Sequence, residues 1–220
     1  MNREVIVYVE GPSDKLGLER LLAHQIQTAL SQGNTVSFHP MQGKEPLLNK
    51  GPIKALNILR NKSHSWVFLV PDLYPQNKPF QHSTYQELKT ELEQRFLKEV
   101  HRKACDSSLN ERFRVHCFKY DLEGLLLASE DILLKRLGVE SFSRSWKTPV
   151  EDQDHNHPPK RIVEALFADA GKRYTDTTDV PWILERTDYL KLIQKCSQNF
   201  KLFIDDLFMT LELYKSDVKG

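Results

Sequence analysis

Cysteine is scarce and scattered: Cys105, Cys117 and Cys196 are the only three, and no C-x-x-C pair occurs. An odd number of isolated thiols argues against a disulfide framework and against a thiolate zinc site, and reads as reduced, partly buried residues. Charge of one sign is lacking too, since 31 basic and 30 acidic residues leave a net charge of +1. The chain as a whole therefore exerts no pull on nucleic acid or anionic membrane, and any polyanion binding requires a local patch or a partner. No apolar run approaches the ~20 residues needed to cross a bilayer, and the run in MNREVIVYVEG is too short for a signal peptide. A cytoplasmic protein without a membrane partner is the expectation. Neither G-x-G-x-x-G nor a Walker-type loop is present, so dinucleotide and nucleotide binding by those routes has no support. Internal repeats and low-complexity tracts are absent. What is there is an ordinary globular composition, 40% hydrophobic and 28% charged over 220 residues, enough for one full domain with a helical extension.

The apolar pattern alternates strands with helices. Val5–Val9 is a continuous β-branched and aromatic run, as expected of a strand buried on both faces, and it stops at Glu10-Gly11-Pro12. Leu18, Leu21, Leu22, Ile26, Ala29 and Leu30 then recur at helical spacing. Thr35–His39 predicts a second strand. Met41–Lys50 reads as a loop, and Pro52 suits the first turn of a short helix continuing through Leu59. Trp66–Val70 predicts a third strand, stopped by Pro71-Asp72-Leu73-Tyr74-Pro75. Tyr85–Val100 is helical by its four-residue apolar spacing, and Arg114–Phe118 is a weaker fourth strand. The alternation predicts a mostly parallel four-stranded α/β sheet, Rossmann-like, with helices on both faces. A soft boundary falls near residue 130, dividing an α/β domain (1–130) from a helical C-terminal region (131–220) packed on it. In that region 129–137, Ile162–Ala170, Tyr189–Cys196 and Phe200–Leu213 read as helices, and Gly138–Pro159 as a polar loop.

Glu10, Asp72, Asp121 and Glu123 each follow a predicted strand end, and sites in parallel sheets lie at carboxyl ends. Gathered carboxylates repel one another unless a cation neutralises them, and Mg²⁺ or Mn²⁺ suits the task with a few carboxylates, waters and substrate phosphates. Asp14 joins the candidate ligands, although it equally suits a first helical turn beside the macrodipole. Glu123 equally suits a cap or ion pair in its own helix. Lys44, in Gln42-Gly43-Lys44, and Lys160-Arg161 are candidate phosphate-backbone contacts, read against a background of ordinary turns and exposed basic residues. Asp152–His157 contains His-Asn-His but reads as a solvated polar loop.

At VIVYVEGPSD (Val5–Asp14) and VFLVPDLYP (Val67–Pro75) the chain resembles the Toprim domain of topoisomerases, primases and overcoming-lysogenization-defect nucleases. That resemblance implies a Toprim-like core with Glu10 as the glutamate often assigned general acid/base work and Asp72 as the first metal-binding aspartate. Asp14 falls where related nucleases carry a second acid. Tyr74 stands where the family pattern has the second aspartate of Asp-x-Asp, and Asp121 and Glu123 are the candidates to compensate. FKYDLEGLLLAS, PPKRI and the later C-x-x-x-F segment resemble a Toprim-like family of unknown function, the domain-of-unknown-function 4276 type, from Val5 to about Leu207. Members are often encoded beside an AAA- or ABC-type ATPase. The resemblance implies a Mg²⁺- or Mn²⁺-dependent nuclease acting on DNA or RNA, with Glu10, Asp72 and Glu123 catalytic, a role in phage defence, and an ATPase partner. The alternative is a binding subunit of an ATPase complex whose metal site is degraded at Tyr74. A homo-oligomer is compatible with either.

Overall fold

The computed structural model describes residues 2–76 and 81–213. Strands β1 (Glu4–Val9), β2 (Thr35–Pro40), β3 (Ser65–Val70) and β4 (Phe113–Val115) form a four-stranded sheet in the order β2-β1-β3-β4, and every pairing is parallel. The central strands explain why their sequences are apolar throughout. Val5, Val7 and Val9 of β1 and Phe68 and Val70 of β3 enter one core, while Ile6 and Tyr8 with Val67 and Leu69 enter the opposite core. Side chains alternate across a strand, so a sheet covered on both faces needs apolar residues at every position.

One face carries α3 (Lys44–Asn61) and α4 (Tyr85–Arg102), whose Leu47, Leu56, Leu88, Leu92 and Phe96 are fully buried. Each such side chain contributes about 1.5–3 kcal/mol by leaving water. Thr84 starts α4 by accepting from the Glu87 N–H, and Glu87 reaches back to the Thr84 N–H. The other face carries α1 (Pro12–Leu21) and α2 (Ala23–Ser31). The same core takes in the helices of the C-terminal half. These are α5 (Glu123–Ala128), α6 (Glu130–Leu137), α7 (Pro159–Asp169), α8 (Asp176–Leu184), α9 (Tyr189–Lys195) and α10 (Phe200–Thr210). Phe200, Phe203 and Leu207 of α10 share that core with Val5 and Phe68 of the sheet. The last seven residues of the region expected to be helical, 214–220, lie outside the described residues.

Four local expectations change. The apolar spacing from Leu18 to Leu30 continues through two helices joined by a kink, because Leu22 leaves helical geometry (φ −101°, ψ 16°) while its hydrogen bonds to Leu18 and Ile26 persist. Helix α3 begins at Lys44, so Pro52 lies inside it rather than in its first turn. Pro52 removes one helical donor, and packing outweighs that cost. Gly51 lets the helix close on β3, since a Cβ there would stand 2.9 Å from Leu69 Cδ1. The fourth strand is short, although its direction continues to an isolated parallel bridge between Asp72 and Phe118. Helix α8 falls where the sequence predicts none: its Asp-Thr-Thr start and interior Pro181 carry little helical signal. Tertiary contacts hold it. Gly17 of α1 faces Val180 and Leu184 so closely that a Cβ would come within 2.8 Å of Val180 Cγ1. The buried Asp179 carboxylate also accepts from Arg136 Nε at 2.7 Å and from the Thr175 N–H at 2.6 Å.

Candidate functional site: a carboxylate edge at the switch point

The chain leaves β1 to form β2 on one side and returns to form β3 on the other, so the β1/β3 boundary is where strand order reverses. Crevices at such points, beyond the carboxyl ends, are where open α/β sheets bind ligands. Glu10 and Asp72 occupy that place. They follow the paired residues Val9 and Val70, and Glu10 Oε1 accepts the Asp72 N–H at 2.9 Å. The segment after β4 is brought alongside by a continued parallel ladder: the Phe118 N–H donates to Pro71 O, Leu73 N–H to Phe118 O and Tyr74 N–H to Lys119 O. This ladder brings Asp121 within electrostatic reach of Asp72, and Glu123, the first residue of α5, beside Asp121.

The acids act on one another. Burial pushes the Glu10 carboxyl up to about 7; the Asp72 N–H and Lys44 oppose this, and Asp14 adds to it. Burial likewise lifts Asp14 to about 6, with Glu123 and Asp176 adding to the shift and the Gly11 N–H and Lys160 opposing it. Asp72 lies well above the ordinary carboxylate range through burial and the charges of Glu10, Asp14 and Asp121. Asp121 rises to about 8 through burial and the Glu123 carboxylate beside it. Asp14 and Asp72 thus link Glu10 electrostatically to the Asp121–Glu123 pair. Its own carboxylate accepts the Gly11 N–H at 2.8 Å, so the helix-start role and the site role fall on one side chain.

Two lysines supply internal counter-charge. Lys44 Nζ donates to Leu73 O at 2.9 Å and Pro75 O at 2.5 Å, holding the loop after β3, and burial lowers its pKa against the pull of Glu10 and Asp72. Its ammonium is committed to these carbonyls rather than presented outward. Lys160 stands 3.6 Å from Glu123 Oε1 and 3.5 Å from Asp176 Oδ2. Burial works against its charge, but Glu123, Asp121 and Asp176 prevail and raise its pKa. Arg161 is exposed and stands apart, on a neighbouring cleft.

Two tyrosines make contacts at the site that residue order does not reveal. Tyr174 donates its hydroxyl to Glu123 Oε1 at 2.8 Å from 51 positions away. Tyr74 packs against Tyr120 and His155 with ring centroids 5.5 and 4.3 Å away, and donates to Ser83 O. Removing the Tyr174 hydroxyl leaves a buried carboxylate oxygen with one donor fewer. Tyr174→Phe is therefore expected to cost about 1.5–3 kcal/mol, read as a lower midpoint in urea with an unchanged slope.

The donor set suits a hard divalent cation. It is all oxygen, its carboxyls are under mutual repulsion, and Asp121 Oδ1 is buried without a hydrogen-bond partner. Asp121 also lines a cavity of about 30 Å³, room for water. Among the described residues, however, no three carboxylate, imidazole or thiolate groups converge as a ready-made metal-binding set. Glu10 is turned to the Asp72 N–H, Asp14 to Gly11, and Glu123 to Tyr174. In this arrangement one or two carboxylates can meet a cation, with waters and a substrate phosphate completing its shell, which is how Mg²⁺ is commonly held.

The fold and this edge define the class: a parallel α/β protein with an acidic crevice at its switch point. The chain belongs to the family described as Domain of unknown function (DUF4276), whose model matches residues 9–208. That span runs from the end of β1 to the last turn of α10 and includes each acid of the site. No curated protein and no solved structure matches the chain. No helix among the described residues is long and apolar enough to cross a membrane.

Proposed function

We propose that the protein is a Toprim-type, Mg²⁺- or Mn²⁺-dependent phosphodiesterase acting on DNA or RNA. The observation that carries this reading is the meeting of Glu10, Asp14, Asp72, Asp121 and Glu123 at one strand edge, each of the first four with its carboxyl raised by burial and by neighbouring acids. Such a crevice stores repulsion that a divalent cation relieves. The cation's contribution would be to polarise a phosphate and stabilise the charge that develops on it. Asp72 and Asp121 would hold it. Glu10, fixed by the Asp72 N–H and titrating near neutrality, is suited to moving a proton at its free oxygen. Tyr174 and Lys160 position Glu123. The similarity of Val5–Asp14 and Val67–Pro75 to Toprim nucleases supports the same chemistry. It also supports a role in phage defence beside an AAA- or ABC-type ATPase that loads the protein onto nucleic acid.

A second reading has its own observation. Tyr74 is built into an aromatic cluster, and the acids do not converge in threes. Both fit a binding subunit of an ATPase complex whose cation site has degraded. The deciding experiment incubates the protein, alone and with the ATPase and ATP, with labelled DNA and RNA in Mg²⁺, Mn²⁺ or chelator. Cleavage that stops in chelator is expected. No cleavage under any condition, with a stable ATPase complex and no cation binding by calorimetry, replaces the first reading with the second.

A further inference from the structure

Beside the carboxylate edge lies an open cleft of about 670 Å³ between the segment after α6 and the first turns of α7. It carries Arg144, Lys147 and Arg161 against a single acid, Asp154. Arg144 is held by Asp169 at 2.7 Å and Lys147 faces Asp154, so one positive charge, that of Arg161, is uncompensated here. Arg161 has no acidic partner among the described residues and is exposed. Lys147 pairs with Asp154 at 3.1 Å, both side chains about half exposed. An exposed pair of this kind is worth little, so a phosphate can compete for the lysine.

The cleft is also aromatic. Trp146 is partly buried on its wall, its ring fixed edge-on to Phe142 at 4.7 Å. The wall is built rather than loose. The buried Gln153 side chain accepts the Lys147 N–H at 3.1 Å and donates to Lys147 O at 2.8 Å, and Gln153 O accepts the Tyr120 hydroxyl at 2.9 Å. Tyr120 precedes Asp121, so a single hydrogen-bonded wall separates the basic cleft from the carboxylate edge.

Cations that take phosphates, interleaved with an aromatic face that takes a base, are the chemistry of single-stranded nucleic-acid sites. A base can meet Trp146 only when it is not stacked within a duplex, and a concave site of this size suits one strand. We infer that this cleft seats a single-stranded nucleic-acid segment, with Arg161 and Lys147 on its phosphates and Trp146 against a base, leading past Tyr120 to the carboxylates. Only the last element, the direction toward the carboxylates, rests on the phosphodiesterase reading; the binding does not.

The test measures binding of the full chain in chelator, by fluorescence anisotropy, to oligothymidylate, oligouridylate and a duplex of matched length, across a salt series. Wild type is expected to bind at least one single strand more tightly than duplex. The Lys147→Gln/Arg161→Gln variant should bind more weakly. Its salt slope should be lower by about 1.4, because each single-strand phosphate that a cation neutralises contributes ~0.7. Trp146→Leu should weaken binding about tenfold or more. Because Trp146 also packs on Phe142, the charge variant, whose side chains are exposed, remains the primary reading. Unchanged affinity and slope in the charge variant, duplex bound as tightly as single strand, or no binding by wild type overturns the inference. Intact binding without cleavage in any metal overturns the phosphodiesterase reading and leaves the cleft assigned. Metal-dependent cleavage with cleft variants at wild-type KM does the reverse.

Discussion

Asp72→Asn is expected to reduce metal-dependent cleavage by about 10²-fold or more while leaving the fold intact. Removing one required electrostatic group from a site that stabilises developing charge commonly costs this much. Asp72 is the place to apply the substitution because it senses Glu10, Asp14 and Asp121 together. Asparagine keeps the shape and loses only the charge, and the Asp72 N–H that Glu10 accepts belongs to the backbone and survives the change. Glu10→Gln should fall by a similar factor and flatten the pH dependence of kcat/KM near neutrality, since the wild-type carboxyl titrates near 7. The measurement is initial cleavage rate of wild type and both variants on labelled DNA and RNA across pH, with circular dichroism as the folding control. A variant that cuts as fast as wild type would place the activity elsewhere.

The second large effect is on stability. Without divalent cation the protein should be more stable near pH 5 than near pH 8. Glu10, Asp14 and Asp121 have folded-state values of about 7, 6 and 8, above those of free carboxyls. The folded chain therefore holds protons that the unfolded chain has released. Stability is fully present below about pH 4 for these groups and declines as pH rises through about 6 to 8. Asp121→Asn removes one contributor and should stabilise the cation-free protein at pH 8 by on the order of 1 kcal/mol. That is about 2–4 °C in Tm for a chain of this length, with little effect at pH 5. Mg²⁺ or Mn²⁺ at about a hundred times its Kd should add roughly 2.7 kcal/mol at pH 8, and less at pH 5, where protons compete for the same oxygens. Equal thermal midpoints at both pH values, with and without cation, would mean that the acids do not share a strained site.

The strands and their terminal acids are legible from residue order because both signals are local. A strand covered on two faces must be apolar at every position, as Val5–Val9 and Trp66–Val70 are, and the turn residues after them announce where the sheet's carboxyl edge begins. Parallel pairing then forces the strand-end acids Glu10 and Asp72 to one edge. Helix α4 is legible for the same reason, since Leu88, Leu92, Phe96 and Val100 recur four residues apart and are all buried. What lies beyond the sequence depends on partners distant in the chain. Helix α8 exists because Gly17 admits Val180 and because Arg136 neutralises Asp179, neither of which a propensity scale contains. Pro52 is tolerated inside α3 because Gly51 lets the helix seat against Leu69. Lys44 reads as a free phosphate ligand in the sequence, but in the fold the loop carbonyls of Leu73 and Pro75 claim its ammonium. Residue order by itself determined which acids arrive at the edge. The tertiary structure decided where each carboxylate points, which lysine and tyrosine restrain it, and how far its proton is held, because those depend on burial and on charges that folding brings together.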